Sequence, residues 1–137
     1  MYRDLKVAKT LKVLFVEDHL PDVHLVRRLL NKSKIDAHID VMFDGEEAIE
    51  YLKNNTPDII FLDINLPKVN GLEILTEIKN DFRLANIPVI ILTTSDSDFY
   101  QSMSESMNVD AYIQKPLQID DVYEVLYKRG WIVEANS

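Results

Sequence analysis

FLDINLPKVNG, residues 61–71, is the stretch on which the reading of this chain turns. Ile59, Ile60, Phe61 and Leu62 run directly into an acid, Asp63, and Asn65, Pro67, Asn70 and Gly71 follow. Four successive apolar residues read as a strand covered on both faces. A carboxylate at the lip of such a strand is costly unless something pairs with it. Comparable apolar runs stand at VLFV (13–16), VIIL (89–92) and AYI (111–113), and an alternating one, I-x-V-x-F, at 39–43. Alternation marks a strand half open to water, as at a sheet edge.

Between the runs the period changes to that of a helix. Val23, Val26 and Leu30 share one face, as do Ala48, Ile49 and Leu52; Leu72, Leu75 and Ile78; Tyr100, Met103 and Met107; and Ile119, Val122 and Leu126. Asp44-Gly45 opens the second helix, Pro57 follows it, Asn70-Gly71 opens the third and Gly130 closes the last, which is the expected punctuation. Strands alternating with helices predict an α/β fold, (βα)5, with a doubly wound parallel five-stranded sheet. Right-handed crossovers leave few arrangements, and the flavodoxin-like order 2-1-3-4-5 is the expected one.

The 137 residues read as one domain, 1–137, with a core at about 11–129 and short tails. At 47% apolar and 28% charged the chain has ordinary globular usage,. No cysteine is present, so thiol chemistry is excluded. MYRDLKVAKT has no apolar core of a signal peptide,, and no run approaches the ~20 residues of a membrane span. A cytoplasmic address without membrane contact is the expectation. With 23 acids against 15 bases and a net charge of −8, the chain lacks the basic footprint of a nucleic-acid binder.

In the expected order the first and third strands are neighbours, and ligands bind in the crevice beyond their carboxyl ends. Glu17 and Asp18 follow the first strand, Asp63 and Asn65 the third, Thr93 and Thr94 the fourth, Lys115 and Pro116 the fifth. Crowded like charges cost about 4 kcal/mol per pair at 4 Å and an effective dielectric of 20. A hard cation relieves that; Mg²⁺ takes one or two carboxylates and phosphate oxygens, and Lys115 supplies a second positive charge. Removing one acid, as in Asp18→Asn, is expected to stabilise the metal-free protein. Acids, a metal, a hydroxyl and a lysine suit phosphoryl transfer, where catalysis is positioning and charge neutralisation, with a carboxylate as the nucleophile. His19, His24 and His38 read as surface or helix residues.

VLFVED, FLDINLPKVNG, IPVIILTTS and AYIQKP together resemble the receiver domain of two-component response regulators, over roughly residues 11–129. LPKVNGLEILTEIKND with LTTS is similar, more narrowly, to the small stand-alone regulators found beside phytochrome-like sensor kinases. The resemblance implies that Asp63 is the phosphoacceptor for a histidine kinase, a phosphotransfer protein or a small acyl phosphate. It implies Mg²⁺ held by Asp18, Asp63 and the backbone carbonyl of Asn65, with Glu17 contributing directly or through water. Thr93 would bind a phosphoryl oxygen, Lys115 would pair with the phosphate, Tyr112 would follow Thr93 as a switch residue, and Lys115-Pro116 would be cis. Two positions depart from the common pattern: Thr94, where a smaller residue is usual, and Asn70, where Asp is frequent. Neither removes a required group.

The phosphate's added charge and acceptors would act through Thr93 and Lys115 on the face made by the fourth helix, fifth strand and fifth helix. After Asp121 only a helix and GWIVEANS remain, so the output is expected to be contact with a protein partner, not an attached effector domain. Tyr123, Tyr127 and Trp131 are the candidates for a dimer or partner surface. The chain is not expected to be an enzyme beyond taking part in its own phosphorylation and dephosphorylation. A dehalogenase-type phosphatase would carry a second acid where Asn65 stands. With only Gly45, Gly71 and Gly130, neither glycine-rich nucleotide motif can form. A phosphotransfer protein would be all helical. A receiver-like docking module that works without phosphate is the remaining alternative.

Overall fold

The computed structural model describes residues 5–7, 10–33, 35–66, 69–94 and 98–134. Among the described residues, seven strands and five helices follow in chain order: β1 (Leu5–Val7), β2 (Leu11–Val16), α1 (Leu20–Lys32), β3 (Ala37–Met42), α2 (Gly45–Asn54), β4 (Ile59–Asp63), α3 (Gly71–Asn80), β5 (Val89–Thr93), α4 (Asp98–Ser106), β6 (Ala111–Gln114), α5 (Ile119–Lys128) and β7 (Ile132–Glu134). Five of the strands form one parallel sheet in the order β3-β2-β4-β5-β6. Counted within that sheet this is 2-1-3-4-5, as expected.

The continuous apolar runs divide by alternate residues between two layers, because successive side chains of a strand point to opposite faces. Val13, Phe15, Ile59, Phe61, Ile90 and Leu92 meet Val26 and Leu30 of α1 and Val122 and Leu126 of α5. Leu14, Val16, Ile60, Leu62, Val89 and Ile91 meet Ala48 and Leu52 of α2 and Ile74, Leu75 and Ile78 of α3. The Phe15 and Phe61 rings lie 5.8 Å apart at 59°, a tilted contact of the kind aromatic quadrupoles favour. The two edge strands, β3 and β6, are only partly buried along their length.

Local signals set the helix ends. Asp44 accepts from Glu47 N at 2.8 Å to cap α2, and Asn70 accepts from Leu72 N at 2.7 Å to cap α3, satisfying donors that a helix start leaves open. Gly130 takes φ +74° after α5, the left-handed turn for which glycine is suited. Lys115-Pro116 is cis. Pro67 and Lys68 lie outside the described residues. Among the described residues no helix is long and apolar enough to cross a membrane.

Three features differ from the sequence reading. Residues 5–7 and 132–134, read as tails, pair antiparallel as β1 and β7 in a separate two-stranded ribbon. Three-residue strands give no measurable period, and each finds its partner at the other end of the chain. Tyr123 is 9% exposed and belongs to the core layer under α5, with Trp131 packed against it. Of the surface proposed around them, Tyr127 is the exposed member, at 49%. In the fourth helix Met103 is exposed and Met107, beyond the helix end, is the one packed inward; the Tyr100 side chain lies outside the description.

Candidate functional site

Strand register builds the site as a staircase. Val16 pairs with Leu62, so Glu17 and Asp63 emerge side by side from the two central strands. Asp63 pairs with Leu92, putting Thr93 one step beyond it, and Thr93 pairs with Gln114, putting Lys115 one step further. The Lys115 amide donates to Thr93 O at 2.8 Å and fixes that last step. Asp63 and Thr93 are the last residues of β4 and β5, and Glu17, Asp18, Asn65 and Lys115 are the first or second residues past β2, β4 and β6, so the strand register sets where each emerges.

Glu17, Asp63 and Thr93 are the buried polar residues here, at 0%, 4% and 0% exposure. Glu17, Asp18 and Asp63 each bring a carboxylate oxygen within 4.8 Å of the others. The Lys115 ammonium lies 2.6 Å from Glu17 Oε1, 2.8 Å from Asp22 Oδ2 and 3.3 Å from Asp63 Oδ2. Asn65 N donates to Asp63 Oδ1 at 2.9 Å, and Asn65 Nδ2 donates to Thr93 Oγ1 at 3.3 Å. His19 N donates to Glu17 Oε2 at 3.3 Å. Asp18, Asp63, Asn65, Thr94 and Lys115 line an open cleft of about 500 Å³. Tyr112 pairs in register with Ile91, is half-buried against the α2–α3 layer, and buries its phenolic oxygen.

The electrostatics follow from this crowding. Burial, then the Asp63 carboxyl beside it, pushes the Glu17 carboxyl up to about 8, against the opposing pull of Lys115. Burial would lower the Lys115 ammonium, but Asp22, Glu17 and Asp63 outweigh it and hold it above its ordinary value. Burial would likewise raise Asp22, yet Lys115 and His19 hold it below the usual carboxylate range. The residues fit a hard divalent cation. The donors are oxygens, as such ions require, and Glu17 Oε1 is buried with no aligned hydrogen-bond donor although Lys115 is close. Once ionised, Glu17 in that position calls for another positive partner.

The strain of the metal-free cluster falls on Glu17, not Asp18, because Asp18 is exposed and water screens it,. The unfolded chain releases the Glu17 proton near 4.5 and the folded chain near 8, so wild-type stability falls as pH rises across that window. In chelator, Glu17→Gln is expected to melt close to wild type at about pH 5 and roughly 5 °C or more above it at pH 8.5. Asp18→Asn should shift melting by about 1 °C or less. Melting curves at the two pH values check both, and a gap for Glu17→Gln that does not widen with pH would contradict this placement of the strain.

Of the residues singled out in the sequence for the site, Glu17, Asp18, Asp63, Asn65, Thr93 and Lys115 meet at the carboxyl ends of the strands, and Tyr112 lies within β6. Asp22 was missed. It sits in the first turn of α1 and reaches the same cleft, but an acid early in a helix is ordinary, so nothing in its local sequence set it apart. Its nearness to Glu17-Asp18 was the available signal. Asn65 contributes a side-chain bond to Thr93 that a reading of its carbonyl alone did not contain.

A parallel sheet in this order, ending in three clustered acids, a buried threonine and a lysine, defines a class, and the chain belongs to it: the response regulator receiver domain family, whose model matches residues 13–127. Its similarity extends to the small regulators of that family. It is 36% identical over 121 residues to the response regulator Rcp1 of Synechocystis, covering 83% of this chain and 82% of that one. It is 35% identical over 130 residues to the probable methanogenesis regulatory protein FilR2 of Methanothrix harundinacea, covering 87% and 84%. Among solved structures, the phosphorylated cyanobacterial phytochrome response regulator RcpA superposes with a TM-score of 0.75 at 32% identity, over 90% of this chain and 94% of that one. Rcp1 in a Mn²⁺-bound form superposes with a TM-score of 0.72 at 34% identity, over 86% and 90%.

Proposed function

We propose that Asp63 is the acceptor of a phosphoryl group delivered from a phosphohistidine of a sensor kinase or phosphotransfer protein in the cytoplasm, and that this modification is the signal the protein carries. The observation that supports this most is the setting of Asp63: a nearly buried carboxylate that lines an open cleft, clustered with two more acids and with a lysine at 3.3 Å. One carboxylate oxygen forms the new bond to phosphorus while the bond from phosphorus to the donor's imidazole nitrogen breaks and leaves with its electron pair. Glu17, Asp18, Asp63 and the Asn65 carbonyl would hold Mg²⁺, which supplies charge neutralisation between carboxylates and phosphoryl oxygens. Similarity to a phosphorylated regulator and to one solved with Mn²⁺ supports the same reading.

Thr93 and Lys115 would donate to the added phosphoryl oxygens, and Tyr112, one strand over, would respond to a move of Thr93. The output face is that of α4, β6 and α5, where Met103 and Tyr127 stand exposed and can join a protein partner or a second copy. The protein is on this reading a phosphoacceptor and not an enzyme with a separate substrate. A docking module indifferent to phosphate would have no use for the full acid, hydroxyl and lysine set.

Incubation with Mg²⁺ and acetyl phosphate should yield an adduct stable in acid and labile in base, as an acyl phosphate is. Asp63→Asn should reduce it to background, and chelator should do the same to wild type. An adduct that survives Asp63→Asn, or none with either acetyl phosphate or a kinase donor, would overturn the assignment.

A further inference from the structure

We propose that Asp22 is a positioning residue: it holds Lys115 back from Asp63 in the unmodified protein and must release it when a phosphoryl group arrives. The inference rests on Asp63 being the acceptor, and it concerns an acid that the cation cluster does not include. An ammonium has three donors and accepts nothing. Around Lys115 stand three carboxylates, at 2.6 Å (Glu17), 2.8 Å (Asp22) and 3.3 Å (Asp63). The Asp22 contact is a formed hydrogen bond and is shorter than the one to Asp63. Lys115 is thus held more closely by Glu17 and, from α1, by Asp22 than by the residue to be modified.

The three carboxylates are not equivalent. Glu17 and Asp63 belong to the cation cluster with Asp18, and Asp22 does not. A cation in that cluster competes with Lys115 for Glu17 and Asp63, leaving Asp22 as its remaining carboxylate partner among the described residues. A phosphoryl group on Asp63 brings three strong acceptor oxygens, and Lys115 reaches them by giving up Asp22. Release leaves no orphaned acid: the same Asp22 oxygen lies 2.9 Å from His19 Nδ1, and Asp22 is 23% exposed, so water can replace the ammonium. The exchange is therefore cheap enough to occur and costly enough to oppose modification. It also ties the first turn of α1 to the loop after β6.

The probe is beryllium fluoride with Mg²⁺, a tetrahedral analogue of a carboxylate-bound phosphoryl group, with binding followed by calorimetry. Asp22→Asn should tighten its affinity by about tenfold, the scale of one lost charged hydrogen bond, while Mg²⁺ alone binds with little change. A lost negative charge would also favour any anion through the general field, so the decisive comparison is made in a Lys115→Gln background. There Asp22→Asn should have no effect. Tightening of the same size in both backgrounds would reduce Asp22 to a diffuse charge and overturn the proposal, as would unchanged or weaker binding in the single variant. Asp22→Ser, which removes the carboxylate from the same partly exposed first turn of α1, should repeat the Asn result. Wild type that binds no beryllium fluoride at all, or binds it equally after Asp63→Asn, would count against Asp63 as acceptor and not against Asp22 alone.

Discussion

Lys115→Met should melt roughly 10 °C below wild type in chelator, and Mg²⁺ should recover a large part of the loss. Lys115 is the shared counter-charge of Glu17, Asp22 and Asp63, and its side chain is only 12% exposed. Removing one partner from a buried ionic cluster costs about 3–5 kcal/mol, because the remaining charges stay desolvated and unpaired. For a domain of this size about 3 kcal/mol corresponds to a shift near 10 °C. Recovery follows because a divalent ion binds the folded cluster and not the unfolded chain. Scanning calorimetry with chelator and with millimolar Mg²⁺ measures both. A variant that melts with wild type in chelator would mean the acids are relieved by protonation alone; a loss that Mg²⁺ leaves untouched would argue against a cation site at Glu17, Asp18 and Asp63.

Gly71→Ala should cost about 3 kcal/mol and slow phosphorylation of Asp63 as well. A Cβ at Gly71 would lie 2.6 Å from Ile64 Cα and 2.8 Å from Asp63 O. Both are backbone atoms of the stretch that presents the acceptor, and the Gly71 amide already donates to Ile64 O at 3.2 Å. Space can be made only by moving the start of α3 or the end of β4. Gly130→Ala is the control. It meets nothing within 4 Å, and its strain is that of φ +74° alone, worth about 1–2 kcal/mol. Denaturant titration of both variants, with the rate of adduct formation from acetyl phosphate, separates them: Gly130→Ala should keep the wild-type rate. Equal rates in the two variants would show that the close approach at Gly71 does not position Asp63.

The sheet was legible because burial on both faces leaves continuous apolar runs, and one edge strand, β3, betrayed itself by alternation; AYI read as a covered run, whereas β6 lies at the other edge and is only partly buried. The acids, hydroxyl and lysine were legible for the same reason. Each interrupts the chain where an apolar run ends, and the order of the strands alone brings those endings together. Features that depend on which way a single side chain leans were not. Tyr123 neighbours the core stripe of α5 in the helical projection, and only the packing of the sheet beneath draws it into the core. Met103 continues the apolar rhythm of α4 yet faces outward. Asp22 reaches Lys115 across a sequence separation of 93 residues, a contact fixed by how α1 docks on the sheet. The ribbon of β1 and β7 depends on the meeting of two chain ends whose own patterns are too short to read.

Trp131, packed on the core just after α5, is the single tryptophan of the chain. Its amide is bonded to Leu126 O at 2.9 Å, and the next residue begins β7. The ultraviolet emission of the protein excited at the red edge therefore comes from one place, the seam between α5 and the terminal ribbon, beyond the opposite end of α5 from Lys115. Light from that seam is blind to events confined to the cleft. A change in its colour or yield on modification of Asp63 would be a direct optical record of movement carried along the length of α5.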